Sequence, residues 1–244
     1  MNKLPDDLAL LACARAARIS GRPDVVDIEF EEIELVVSVR PPTAAEWAAY
    51  IPANASQATR AAAKYNLLAS CLVYPCDAKG EPDLEALARA CDELPALVSE
   101  CVDSIDELAC GAPLTIIAVD ESTAPAATAL IGAEKLAALR SAHKRLRIVG
   151  VGGDGSPVKA FGLRAPPRIS WEAAADVSIA ALVESADLLA LDCIVGLTDD
   201  ARAGLLKYYP GLSTLLYRTL ESMAGSRRMS GEPRKKALRG SSKS

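Results

Sequence analysis

Seven cysteines, one histidine and a glycine-rich turn are the residues of this chain whose types invite chemistry. The cysteines, at 13, 71, 76, 91, 101, 110 and 193, are odd in number and contain no C-x-x-C pair. With His143 as the single imidazole, a zinc site would need four thiolates or carboxylate help, at spacings that match no common zinc pattern. Cys91 and Cys101 fall on apolar helical faces, where a free thiol acts as a small hydrophobe. The set reads as buried thiols of a reducing compartment. Gly150, Gly152 and Gly155 satisfy G-x-G-x-x-G after a strand. A dinucleotide site needs a helix next, so that its N-terminus can hold a pyrophosphate. Here Ser156-Pro157 and the strand-like "VKAFGLR" follow, and Asp154-Gly155 reads as a hairpin turn. His143 stands beside Lys144, Arg145 and Arg147 with no carboxylate or nucleophile next to it, the setting of a surface histidine. The acids of "DIEFEEIE" (27–34) alternate with apolar residues at strand spacing and read as a solvated face. Asp103, Asp106 and Glu107 take the polar side of a helix. These residues assemble no catalytic, cofactor or metal constellation, so the chain reads as a non-enzyme without a cofactor.

The elements that would position such residues follow from composition. Half of the 244 residues are apolar, yet aromatics supply only 4%. Alanine and leucine make up much of the remainder and favour helix, because they lose little side-chain entropy there. The net charge of −5 is unevenly spread. From Ser226 onward Arg227, Arg228, Arg234, Lys235, Lys236, Arg239 and Lys243 face one acid, Glu232, which leaves −11 on residues 1–225. An acidic body argues against general nucleic-acid binding, and the Gly, Ser and Pro content of 226–244 reads as a basic disordered tail. "LLAC" at 10–13 has the form of a lipoprotein cleavage site, but Asp6 and Asp7 interrupt the segment before it and Arg15 and Arg18 continue a helical pattern. It reads as an ordinary first helix. No stretch is long and apolar enough to span a membrane.

The strongest internal signal is a repeat. "IEFEEIELVVSVR" suggests strands, Pro41-Pro42 ends them, and Trp47 follows near the start of a helix. "LRIVGVGGDGSPVKAFGLR" suggests a hairpin, Pro166-Pro167 ends it, and Trp171 opens a helix. Downstream, "LLASCLVYP" (67–75) lies over "LLALDCIVG" (188–196), aligning Cys71 with Cys193. "ELPALVSECVDSIDELACG" (93–111) lies over "YYPGLSTLLYRTLESMAGS" (208–226), and upstream "LALLACARAARI" has its counterpart in "EKLAALRSAHKRL". Thr43 with Glu46 three residues on has capping-box spacing, and Ser170 is expected to cap the second copy. Leu94, Leu97, Val98, Cys101, Val102, Ile105 and Leu108 share one helical face, as do Leu212, Leu215, Leu216, Leu220 and Met223. Gly111 and Gly225 suit helix C-termini. The expectation is an α+β, mainly helical chain of two similar domains, 1–111 and 133–225. Each would be a helix plus a small β-hairpin or sheet, then a Pro-Pro corner and a helical bundle. Residues 112–132 read as a linker with a short strand at 114–119, and 226–244 as the tail. A tryptophan at a strand-to-helix corner serves either as a core anchor or as a partner-facing anchor. That makes Pro41, Pro42, Trp47, Pro166, Pro167 and Trp171 the candidate partner-binding residues, with the basic tail as a second candidate surface.

At "SVRPPTAAEWAAY", followed by "LLASCLVYP" and "ELPALVSECVDSIDEL", the chain resembles tail assembly chaperones of long-tailed bacteriophages. Those proteins show a V-R-P-P-T-x-x-E-W-like corner, a helix ending near C-[LIV]-V-x-P and an L-P-x-[LI] helix. Val39–Trp47 and Cys71–Pro75 fit that pattern. In the second copy Arg168 and Ile169 replace the T-x-x-E step, and Gly196 stands where Tyr74 does. The resemblance covers roughly residues 28–111 well and 158–225 weakly. It implies a chaperone in the host cytoplasm that coats the tape measure protein until the tail tube assembles around it, with the tail tube protein as a further partner. A structural tail or baseplate component retained in the virion is the alternative. A nucleic-acid-binding regulator using the basic tail is a third reading.

Overall fold

The computed structural model describes residues 6–152, 158–175 and 181–225. The basic tail, with Arg227, Arg228, Arg234, Lys235, Lys236 and Arg239, lies outside them, as does the Asp154-Gly155 turn. Within the described residues the fold is α+β and mainly helical, with eleven α-helices and two small antiparallel sheets.

In the first half, helix α1 (Asp6–Ser20) leads into strands β1 (Val26–Phe30) and β2 (Leu35–Val39), joined through a 3-10 turn at Glu31–Ile33. Helices α2 (Ala44–Ala55) and α3 (Arg60–Cys71), the short strand β3 (Leu72–Tyr74), and helices α4 (Leu84–Glu93) and α5 (Leu97–Cys110) follow. The sheet order is β1-β2-β3, all antiparallel. In the second half, helix α7 (Ala133–Ala142) leads into the hairpin β5 (Leu146–Val151) and β6 (Ala160–Arg164). Then come α8 (Arg168–Ala175), α9 (Leu182–Cys193), β7 (Ile194–Val195), α10 (Asp199–Tyr208) and α11 (Leu212–Ala224). Both halves therefore run helix, two strands, two helices, strand, two helices.

The short strand expected within residues 112–132 is present, and a helix follows it. These are β4 (Leu114–Ala118), which adds a fourth strand to β5, and helix α6 (Ala124–Ile131), which packs on β5 and β6. The apolar residues of β4 drive this, since Leu114 and Ile116 rest on the second core. In turn, Asp120 caps the turn before α6 by accepting from the Ser122 and Thr123 amides.

Each half has its own core. The first gathers Val37, Val39, Trp47, Leu68, Leu97, Cys101 and Ile105. The second gathers Phe161, Leu163, Leu189, Cys193, Leu205, Leu212 and Leu216. The helical faces expected of α5 and α11 are the ones buried, and Gly111 and Gly225 end those helices in the left-handed region at φ 77° and 83°. Removing such faces from water stabilises by about 1.5–3 kcal/mol per large side chain.

The halves meet through α5, α11 and the Tyr208-Tyr209 pair. Arg22, only 4% exposed, donates to the Leu108 carbonyl at 2.8 Å and to the Tyr208 carbonyl at 3.0 Å. Its guanidinium lies 4.5 Å and 4.7 Å from the ring centroids of Tyr208 and Tyr209, and Asp24 neutralises it. Gly211 donates to the Ala109 carbonyl at 2.9 Å. A side chain there would meet Cys110 Sγ at 2.9 Å and the Trp47 ring at 3.0 Å, so this contact needs glycine.

Candidate functional site

The corner at residues 39–47 is built by one arginine. Arg40 follows β2 and is 3% exposed. Its guanidinium donates to Glu46 Oε1 at 2.7 Å and Oε2 at 3.0 Å, to the Pro41 carbonyl at 2.9 Å, and to the Ser70 carbonyl near the end of α3 at 2.6 Å. Thr43 caps α2 in a full capping box, with the Thr43 amide donating to Glu46 Oε2 at 2.7 Å. One carboxylate thus closes the cap and the ion pair together. Burial pushes the Glu46 carboxyl upward, but hydrogen bonds from Arg40 and Thr43 outweigh it and hold the group below its usual range.

The second corner reaches the same end differently. Arg164, on β6, donates through Nε and Nη2 to the Asp192 carbonyl at 3.1 Å and 3.0 Å, and through Nη2 to Asp192 Oδ1 at 2.5 Å. Ser170 is not the cap expected of it. It sits inside α8 and donates to Asp192 Oδ2 at 2.6 Å. Relative to Trp47 and Trp171, Ser170 takes the place of Glu46; relative to Cys71 and Cys193, Asp192 takes the place of Ser70. Acid and serine have changed places, and in both halves an arginine ties a β-strand to the last turn of the following long helix.

Beside each corner lies a groove between two helices. The first, about 390 Å³, runs between α2 and α3 over Ala45, Ala49 and Ala53, with Glu46, Asn66 and Ser70 on its rim. The second, about 240 Å³, runs between α8 and α9. Its lining repeats the first position by position: Ser170 falls on Glu46, Ala173 on Ala49, Ala174 on Tyr50, Ser185 on Ala63, Leu188 on Asn66, Leu189 on Leu67 and Asp192 on Ser70. Alanines at i, i+4 and i+8 leave room for a partner's side chains to approach the helix backbone. Ile169, which corresponds to Ala45, is 82% exposed, and Leu188 is 62% exposed. The second groove thus carries Leu188 on its rim where the first carries Asn66, between the polar Ser170 and Asp192. Such surfaces suit an amphipathic helix better than an ion or a small metabolite.

The expected anchor residues divide. Trp47, 3% exposed, is a core residue packed 5.5 Å from Tyr50, and Pro41 and Pro42 are buried with it. Their burial takes them out of the surface role. Pro166, Pro167 and Trp171 are half-buried, and Trp171 packs 5.5 Å from Tyr217. The groove alanines, Ile169 and Leu188 were missed by motif reading. The signal that finds them is the alanine spacing in "AAEWAAYIPANA" together with the repeat alignment. Among the described residues no cluster of His, Cys, Asp or Glu has the arrangement of a metal site, and no described helix is long and apolar enough to cross a membrane. The cysteines are free thiols, Cys13 exposed and the others buried or half-buried. Burial pushes Cys71 and Cys193 up to about 12, far from a reactive thiolate at neutral pH. Comparisons with protein-family models, curated proteins and solved structures returned no match.

Proposed function

We propose that this chain is a non-enzymatic tail assembly chaperone of the long-tailed bacteriophage type, acting in the host cytoplasm to hold helical segments of the tape measure protein. The observation that carries the reading is the recurrence of one groove, position for position, beside the corner that bears the family resemblance. Two grooves on one body hold two segments of the same client. The second engagement then proceeds at a raised effective concentration. An acidic body of charge −11 keeps such a complex soluble while the client's apolar faces are covered.

The test is co-expression with a tape measure protein from the same genome. The wild-type chain should keep the client soluble. Ala49→Trp combined with Ala173→Trp fills both grooves at exposed helix positions, leaves the cores alone, and should return the client to the insoluble fraction. A client that is insoluble beside the wild-type chain overturns the chaperone reading. A folded double variant that still solubilises the client overturns the assignment to the grooves.

A further inference from the structure

The repeat exposes a vacancy in the first sheet. In the second half β4 pairs with the outer edge of β5 over five residues, from Leu114↔Val151 to Ala118↔Arg147. Register against the inner strands places the two edges in correspondence. Val39 and Leu163 each stand one residue before the corner arginine, Arg40 or Arg164, and their partners are Val26 and Arg147. The five residues of β5 that carry β4, 147–151, therefore correspond to 26–30, the whole of β1. In the first half that edge is open: β1 is the outer strand of its sheet, and among the described residues its backbone pairs with β2 alone. An edge strand left this way presents unpaired amides and carbonyls to any chain that can lie beside it.

The side chains select what can lie there. Val26, Ile28 and Phe30 turn toward the first core, whereas Asp27 and Glu29 are exposed. The corresponding positions of β5 are Ile148 and Gly150, which are buried and uncharged. Residues 24–34 hold six acids, and no lysine or arginine occurs between Pro23 and Val39. At the far end of β1 a hollow of about 220 Å³ is lined by Glu29, Phe30, Glu31, Glu34, Leu35 and Val36. Its apolar floor under three carboxylates fits the methylene stem and charged head of a lysine or arginine. A second copy fits poorly, because antiparallel pairing of two β1 strands about Ile28 sets Asp27 against Glu29 twice, and like charges directly opposite destabilise.

We propose that the outer edge of β1 is a strand-addition site for a partner segment in which β-branched apolar residues alternate with basic ones. The apolar residues lie opposite Val26, Ile28 and Phe30 and extend the core face, as Leu114 and Ile116 of β4 do in the second half. The basic residues lie opposite Asp27 and Glu29, and one enters the glutamate-rimmed hollow. Main-chain hydrogen bonds supply the affinity and the charge alternation supplies the choice of partner. This site is separate from the grooves and does not depend on what they bind.

The experiment uses the full chain and a synthetic peptide, Val-Lys-Val-Lys-Val-Lys-Val. Controls are the Glu-for-Lys peptide and a peptide of the same composition with its lysines in one block. Binding is read by fluorescence anisotropy, and hydrogen exchange is read at the amides of residues 26–30. The alternating basic peptide should slow exchange in β1 and bind at least about tenfold more tightly than either control. Combining Glu29→Lys with Glu31→Lys should weaken it by about tenfold or more. Unchanged exchange in β1 overturns the proposal even if the peptide binds elsewhere, and that readout needs no variant. Equal binding of the block peptide also overturns it, by reducing the effect to general charge attraction. Protection of β1 that grows with protein concentration alone assigns the edge to a second copy. Protection lost on removing residues 226–244 assigns it to the chain's own basic tail. Either result replaces the partner strand.

Discussion

Asp106 should weaken this fold at neutral pH, and replacing it should strengthen the protein. The residue lies on α5 with Oδ1 buried and without a hydrogen-bond partner. Burial, helped by Asp103 one turn earlier and opposed by Lys64, pushes its carboxyl up from 3.8 to about 6. In the unfolded chain the group ionises near 3.8, so below about pH 4 it is protonated in both states and adds no penalty. As pH rises from 4 to 6 the folded state holds a proton that the unfolded state has released, and stability falls. Above 6 the carboxylate is ionised in both states and the full cost is present. At about 1.4 kcal/mol per pH unit between the two values the cost reaches about 3 kcal/mol. The side chain is only partly buried, so solvent screening brings this to about 1–2 kcal/mol. Asp106→Asn removes the charge and keeps the shape. It should raise stability by about 1–2 kcal/mol at pH 7.5, or about 3–6 °C in Tm for a chain of this size, and should do nothing at pH 3.5. Urea unfolding of both proteins at the two pH values reads this as a difference, so other acid-labile groups cancel. A gain of equal size at both pH values, or a loss at pH 7.5, would refute the reasoning.

Two further outcomes follow from the arginines. Arg22→Ala leaves the Leu108 and Tyr208 carbonyls without their donor and Asp24 without its partner, and should cost about 3–5 kcal/mol in urea unfolding. A cost under about 1 kcal/mol would mean that Arg22 does not hold the halves together. Glu46→Gln tests the acid limb: the folded carboxyl lies below its usual range, so its contribution is present above the unfolded value and lost as pH falls through the folded one. The variant should be less stable at pH 7 and lose less on acidification, and parallel pH profiles for variant and wild type would refute that.

Local rules read much of this fold from the sequence. The apolar period of α5 and α11, the capping box at Thr43 and the alternation in β1 each need only neighbours within a few residues, and each is present in the structure. Long-range partners were not legible. Arg22 bonds to carbonyls 86 and 186 residues away, and nothing in "ISGRPD" announces them. Ser170 looked like a cap because its true acceptor, Asp192, lies 22 residues on. Residues 112–132 read as a linker because Pro125, Gly132 and the run of small residues carry strong turn signals. The strand in this stretch was legible, but helix α6 was not: its packing on β5 and β6 overrides those signals, and Pro125 sits in its first turn, where its missing amide costs nothing.

The corner motif that carries the family resemblance makes structure rather than surface. Arg40 and Trp47 are each 3% exposed, Pro41 and Pro42 are buried, and Glu46 is held by Arg40 and Thr43. The V-R-P-P-T-x-x-E-W pattern therefore fixes how β2 turns into α2, and Arg40 ties that turn to the end of α3 through the Ser70 carbonyl. The groove between α2 and α3 lies beside that tie. The two groove regions differ at Ala45 against the exposed Ile169 and at Asn66 against Leu188. Under the proposed function, segments bound at the two grooves would differ in chemistry at these two positions. Covering the exposed Ile169 and Leu188 would be worth about 1.5–3 kcal/mol for each side chain fully removed from water.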